Sequence, residues 1–394
     1  MPDASAAALK SPPYTTVEQA LEAARALAPM LKAQRLSAIA ARRLPEETFA
    51  AMVKAGMFKL IQPKAFGGAE LPYGSHVAVT AELAKACGAA GWVAGVVNTH
   101  HWMMGKFDPR VQAEIWGEDP DTVSCSAFAF AHAKAEPVEG GYKVSGRWLY
   151  SSGSNNAAWA MVSIPTVTDD GKPMRAFALL PKSDYRVLDN WNAAGLAGSG
   201  SHDLEAHDIF VPHYRTLGFD WMDRPDAPGH ALNTGSCFRL PTFGPINLTC
   251  IGPAIGLAQS ALDNFLGNLR ERKNAFGAKV AEFQSLQLRV SESSAEIDAA
   301  TAIAEKLVAE LQAAATSAAG LSKAQNLKLQ RDAAYIGKLC ANAVARLADA
   351  QGAGGLAADN LVNIAQADLK GALSHLTMGW DANATPYGKF LLGV

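Results

Sequence analysis

Apolar positions along this chain keep one spacing near its start, change to a second in the middle, and return to the first. Residues 16 to 116 carry broken stretches at helical spacing: Thr16 to Leu31, Pro45 to Ala55, Gly74 to Ala86 and Asp108 to Trp116. The segment Gln62-Pro-Lys-Ala-Phe-Gly-Gly reads as a loop between two of them. From about Thr122 to Leu217 the pattern shortens to alternating runs with turn punctuation. Tyr142 to Tyr150 predicts a strand, and Ala158 to Pro165 with Arg175 to Pro181 predict a hairpin around Asp169-Asp170-Gly171. Leu204 to Val211 predicts a further strand, closed by Pro212. Beyond that point Ile297, Ala300, Ile303, Leu307 and Leu311 recur at helical spacing and predict one apolar stripe.

Proline sharpens this division. Nineteen of the twenty prolines lie at or before Pro253, and the 132 residues from Ala254 to Thr385 contain none. That stretch is rich in strong helix formers, and helix interiors tolerate proline least. Turn signals near Ala319-Gly320 and from Gln351 to Gly355 cut it into about four helices. The expectation is an α+β chain of three parts: a helical domain over 1–118, a β domain over 119–225 and a four-helix bundle over 226–394. The order differs from the βαβα alternation of a parallel nucleotide-binding sheet.

Composition then removes several functions. The 394 residues are 49% hydrophobic with a net charge of -2, and the charges are scattered. No basic stripe is present for nucleic acid, and no apolar run is long enough for a membrane span. The start, Met1 to Lys10, does not read as a secretory signal. Five well-separated cysteines, with no CxxC, fit reduced thiols, so a cytoplasmic protein is expected. No GxGxxG opens a helix after a strand, and HxxxH and HExxH are absent. Neither a bound nicotinamide nor a metal is expected.

Several segments carry more specific information. They are Phe58 to Gly68, Gly88 to Val97, His100-His-Trp102, Phe107 to Pro120, Gly146-Arg-Trp-Leu-Tyr-Ser-Ser-Gly153, Gly195 to Asp203 and Asp208-Ile-Phe-Val-Pro212. On residues alone, Ser151-Ser152-Gly153 and Gly198-Ser199-Gly200-Ser201 are ordinary turns as readily as sites, and a lone helical histidine is more often core than catalyst. Together, in this order and spacing, the segments resemble the acyl-CoA dehydrogenase-like flavoproteins. Within these they resemble the reduced-flavin-dependent monooxygenases, such as the oxygenase components of 4-hydroxyphenylacetate hydroxylase and of the steroid-ring phenol hydroxylase. The dehydrogenase branch fits less well. Its base is a glutamate near the C-terminus, whereas this chain has no glutamate after Gly371, only Asp381.

The resemblance implies a helical domain, a β-barrel-like domain and a four-helix bundle. It implies reduced flavin, FMNH2 or FADH2, with O2 as co-substrate. A separate NAD(P)H:flavin reductase would supply the flavin, and the assembly would be a homotetramer. The reaction would hydroxylate or epoxidise a small aromatic substrate, a phenol or an indole, through a C4a-hydroperoxyflavin. The resemblance puts Trp148, Ser151, Ser152 and the loop of Gly198, Ser199, Gly200 and Ser201 against the flavin, with Ser151 near N5. It gives His375, His100 and Ser151 catalytic roles and draws the substrate pocket from Trp92, Trp102, Phe128 and Asn156. Where the family usually carries arginines this chain has Ala197 and Ala367, and Asp368 keeps the family's acid. The alternatives are an acyl-CoA dehydrogenase-like oxidase using Asp381, and a non-catalytic member of the fold.

Overall fold

The computed structural model describes residues 12–167, 171–270 and 272–394. Among the described residues five helices come first: α1 (Val17–Ala41), α2 (Glu46–Lys54), α3 (Ser75–Ala86), α4 (Gly88–Met104) and α5 (Pro109–Trp116). Thr16 starts α1 with a capping box to Gln19, which satisfies free amides of the first turn. The expectation that this helix ends near Leu31 is too short: it runs through Pro29 to Ala41. Ala20, Ala24, Leu31 and Ala38 continue one buried face, and that packing outweighs the ~3 kcal/mol an interior proline costs. In α4 all residues are buried, so no amphipathic period marks this helix in the sequence.

Eight strands follow among the described residues. They are β1 (Ser124–Ala127), β2 (Ala129–Val138), β3 (Gly141–Ser151), β4 (Trp159–Val167), β5 (Pro173–Pro181), β6 (Arg186–Leu188), β7 (His202–Pro212) and β8 (Thr216–Gly218). They form two four-stranded sheets, ordered β1-β4-β5-β8 and β2-β3-β7-β6. β1 pairs with β4 in parallel, and the remaining pairs are antiparallel. The expected hairpin is β4–β5, in register from Trp159 opposite Pro181 to Val167 opposite Pro173; Asp169 and Asp170 of its turn lie outside the described residues. Both sheets contribute to one core that includes Val144, Trp148, Val162, Ile164, Leu180 and Leu204. β4 and β5 are buried on both faces: Val162, Ile164 and Leu180 enter this core, while Met161, Phe177 and Leu179 join the helical core.

The helices resume with the short α6 (Phe219–Met222), then α7 (Ile251–Arg270), α8 (Gln284–Thr316), α9 (Lys323–Asp349), α10 (Leu361–Leu373) and α11 (Trp380–Leu392). The breaks between α8 and α9 and between α9 and α10 fall at the expected turns, those between α7 and α8 and between α10 and α11 at places where none was expected, and Ser322 with Gln325 caps α9. On α8, Ile297, Ala300, Leu307 and Leu311 are buried as one stripe, while Ile303 sits at its half-buried edge. α7 packs on α3 closely enough that a Cβ on Gly252 would stand 2.3 Å from Thr80 Oγ1, and one on Gly256 2.2 Å from the Ala81 carbonyl oxygen. The two helical regions thereby share one core, and the β unit sits against α4. Among the described residues no helix is long and apolar enough to cross a membrane.

Candidate active site

A cavity of about 480 Å³ opens where α4, the ends of β1 to β3, the loop before β7 and the C-terminal end of α10 meet. Its helical wall begins with Trp92, Val96 and His100. These residues are four apart on α4 and so share one face. His101 and Trp102 consequently point elsewhere. His101 Nδ1 lies 3.0 Å from the Phe58 carbonyl oxygen, and its Nε2 accepts the Ser124 amide at 3.2 Å. One nitrogen donates and the other accepts, which fixes a neutral tautomer in a structural role. Trp102, expected in the pocket, instead packs at a tilt against Tyr73 in the core and donates its indole N–H to the Cys237 carbonyl at 3.0 Å.

His100 does face the cavity. The Ser126 hydroxyl from β1 stands 2.9 Å from both of its ring nitrogens, and Phe128 meets the ring edge-on at 5.4 Å. Burial pushes its pKa down to about 3, helped by the neighbouring His101 and His375. His375 follows α10, with Nδ1 2.8 Å from the Thr377 hydroxyl and its ring edge-on to Trp92 at 5.8 Å. Desolvation pushes it down to about 4. At neutral pH both imidazoles are therefore uncharged hydrogen-bonding groups.

The opposite wall comes from the β unit. Trp92 Nε1 donates to the Ser152 hydroxyl at 2.9 Å, Ser152 meets the Ser201 hydroxyl at 2.7 Å, and Ser201 meets the Ser199 hydroxyl at 2.6 Å. Ser152 and Ser201 line the cavity, and Ser199 stands behind them. Gly198 packs on α1 and α4, where an added Cβ would lie 3.0 Å from Ala38 Cβ and 3.1 Å from Ala89 Cβ. Gly200, at φ +58°, turns the chain so that its carbonyl accepts the Ser154 hydroxyl.

Two expected flavin contacts lie on the other face of the sheet. Trp148 is fully buried in the β core and donates to the Ser163 carbonyl at 2.7 Å. Ser151 is also fully buried, with its hydroxyl beside the Cys125 thiol and without a well-formed partner. Simple alternation from Trp148 would have turned Ser151 toward the cavity. A bulge prevents it: β3 uses three residues from Trp148 to Ser151 where β7 uses two from Leu204 to His202, and Tyr150 takes φ +65°. Asn156 is half-buried, does not line the cavity, and gives its backbone N–H to the Gly153 carbonyl. Phe130, from the same sheet, lies under the Arg175 guanidinium.

Ser126, Leu149, Tyr150, Trp191, Ile246 and Thr249 also line the cavity and escaped the sequence reading. For Ser126 and Leu149 strand alternation held the signal; for Trp191 and Ile246, in loops, no local signal exists. Asp368 joins the two walls from outside. Its carboxylate accepts the Leu196 amide at 2.6 Å, and a Cβ on Gly195 would come within 1.8 Å of the Ala367 carbonyl oxygen. The Gly195-Leu196 backbone is thus docked directly on α10. Burial pushes the Asp368 pKa up to about 6.

These residues fit the ring of a flavin: aromatic faces at Trp92, Phe128 and Trp191, with hydroxyls of Ser152 and Ser201 for a polar ring edge. Among the described residues no Asp, Glu, Lys or Arg lines the cavity, and Asp381 is exposed on α11. The carboxylate base of a dehydrogenase has no counterpart there.

Fold and cavity together define an acyl-CoA dehydrogenase-like flavoprotein architecture. Residues 16–109 match the acyl-CoA dehydrogenase N-terminal domain, and residues 248–379 match the acyl-CoA dehydrogenase C-terminal domain. The chain is 34% identical to the FADH(2)-dependent resorcinol hydroxylase oxygenase component of Rhizobium sp. (strain MTP-10005), over 90% of this chain and 89% of that one. It is 28% identical to the p-hydroxyphenylacetate 3-hydroxylase oxygenase component of Acinetobacter baumannii, over 95% and 89%. The solved 3-HSA hydroxylase from Rhodococcus sp. RHA1 superposes with a TM-score of 0.90 at 29% identity, covering 97% of each chain. The chain belongs to the flavin-dependent monooxygenase oxygenase components of this fold.

Proposed function

We propose that this protein binds reduced flavin, FMNH2 or FADH2, delivered by a separate NAD(P)H:flavin reductase, and uses O2 to hydroxylate an electron-rich aromatic ring of the phenol or indole type. The observation that carries this reading is the two-sided cavity: a chain of hydroxyls faces two uncharged imidazoles, with no carboxylate among the described lining residues. Bound reduced flavin supplies two electrons to O2, so that one oxygen atom enters the ring and the other leaves as water.

The chain's own groups do the rest. Ser152 and Ser201 hold the polar edge of the flavin. Ser151, which the resemblance places near N5, lies on the far face of the strand and backs Ser152 from the β core. His100 and Ser126 orient the substrate hydroxyl, and His375 donates a hydrogen bond from the opposite end of the same wall. Trp92, Phe128 and Trp191 keep water from the reacting centre, where stray protons and water divert O2 to peroxide. Exposed apolar side chains on the C-terminal helices, among them Leu288, Leu391 and Leu392, support assembly as a homotetramer.

The test mixes the protein anaerobically with reduced FMN or FAD, admits O2, and measures hydroxylated product against hydrogen peroxide over a panel of phenols and indoles. The expected outcome is product in a large fraction of turnovers for at least one compound. Oxygen consumed wholly to peroxide, at the rate of free flavin, overturns the reading.

A further inference from the structure

The polar groups on the cavity wall share a property that bears on the substrate. Each is uncharged and already held by neutral partners: His100 by Ser126 at 2.9 Å, His375 by Thr377 at 2.8 Å, Thr249 by Thr99 at 3.0 Å and the Ile246 carbonyl at 2.6 Å, and Ser152 by Trp92 and Ser201. The two imidazoles have two nitrogens each against a single hydroxyl partner, so each ring retains one donor or acceptor. That arrangement matches a hydroxyl group, which brings one donor and two acceptor lone pairs, and not a carboxylate, which only accepts and has about four lone-pair sites to satisfy.

Arg42, Arg147 and Asp368, which stand beside the cavity-lining segments, are each held by partners outside the cavity. Arg42 makes a two-pronged ion pair with Asp189 at 2.6 and 2.8 Å and also donates to the Trp191 carbonyl. Arg147 is held by Asp203 at 2.7 and 2.9 Å. Asp368 is turned to the Leu196 amide. Among the described residues no cation lines the cavity to receive an anion. The remaining wall is apolar, from Val96, Phe128, Leu149 and Ile246. An ion moved from water into such a space loses its hydration and gains no counter-charge.

We infer that the cavity selects an uncharged hydroxyarene or indole and discriminates against the same ring carrying a carboxylate. The inference rests on the monooxygenase reading and narrows its substrate class. The His100–Ser126 pair receives the ring hydroxyl, and the apolar wall receives the rest of the ring. The low imidazole pKa values keep this preference constant across neutral pH, since neither ring becomes a cation that could pair with an acid.

The experiment uses matched pairs that differ in charge: 4-hydroxyphenylacetate against its methyl ester, and indole-3-acetate against 3-methylindole. Each is measured with the full-length protein and chemically reduced flavin, as kcat/KM for product and as anaerobic binding by equilibrium dialysis. The uncharged member is expected to lead by at least ~100-fold, the scale on which unpaired polar groups are rejected. Equal values, or a lead for the acid, overturn the inference while product formation leaves the monooxygenase reading standing. Peroxide alone from every compound, with flavin not retained, removes both. A second arm places a cation in the wall with Ile246→Arg. The ratio is expected to fall at least ~10-fold, because the acid gains a counter-charge worth one decade or more. An unchanged ratio in a folded variant overturns the inference.

Discussion

The two walls of the cavity solve different problems. The β-unit wall presents hydroxyls held in a chain from Ser199 through Ser201 and Ser152 to the Trp92 indole. Its members lie on a strand end and a glycine-containing turn, where backbone geometry sets each side chain. The helical wall presents His100 and His375, whose protonation is set by burial. A sheet edge positions many small polar groups along a flat ring, whereas a helix face delivers one large titratable group per turn. Binding should therefore depend mainly on the first wall and turnover on the second.

The sharpest test of that division is His100→Ala. Loss of a positioned imidazole is expected to lower hydroxylation by ~100-fold or more, with flavin affinity changed by less than about 3-fold. His375→Ala should behave in the same direction. Because folded pKa values near 3 and 4 lie below the usual 6.5, stability from keeping these rings neutral is complete above pH 6.5 and is lost as pH falls toward 4. The rate profile should accordingly lack an inflection at 6.5, and one seen there would show a histidine that titrates in the site.

Next in size is the residue that ties the walls together. A carboxyl raised from 3.8 to about 6 binds its proton more tightly when folded, so its favourable contribution is present below 3.8 and is lost as pH rises through 6. Asp368→Asn keeps an acceptor for the Leu196 amide and removes the buried charge. Urea unfolding at pH 8 should find it more stable than wild type by ~3 kcal/mol, at about 1.36 kcal/mol per pKa unit, with the gap closing toward pH 4. A variant less stable at every pH would mean that the charge itself holds the loop to α10.

Smaller effects probe the hydroxyl wall. Ser152→Ala should weaken reduced-flavin binding by ~10-fold and raise peroxide per O2, since it removes a buried partner from both Trp92 and Ser201. Ser151→Ala serves as its neighbour on the far face and should alter the product-to-peroxide ratio less; a larger change than in Ser152→Ala reverses the assignment. Trp92→Phe keeps the aromatic plane and loses one N–H donor, for an expected ~3-fold loss in flavin affinity.

The order helices, strands, helices was legible because proline and apolar period both change at the right places. Helices α2, α3 and α5 were readable to within a residue or so, whereas α1 starts at its expected cap and runs ten residues past its expected end. α4 was not readable from periodicity, because a helix buried on all sides has no polar face to mark it. At the site, His100, Ser152, Ser201 and His375 were recoverable through resemblance, and the structure brings them to one cavity. Trp102 and Trp148 lie away from the cavity because each turns to another face of its element than the cavity residue near it, His100 for Trp102 and Leu149 for Trp148. Trp191 and Ile246 enter from loops whose paths depend on long-range docking, such as the Gly195 contact with α10, which no local pattern encodes.

The bulge at Tyr150 has an evolutionary implication. Holding a non-glycine residue at φ +65° costs about 1–2 kcal/mol, yet that one irregularity decides which compartment each of the next two serines serves. Loss or gain of a single codon between Leu149 and Ser152 would swap their allegiance at a stroke, exchanging a wetted hydroxyl for a buried one without altering composition. Lineages carrying this architecture should therefore tolerate substitutions along that edge far more readily than changes in its length.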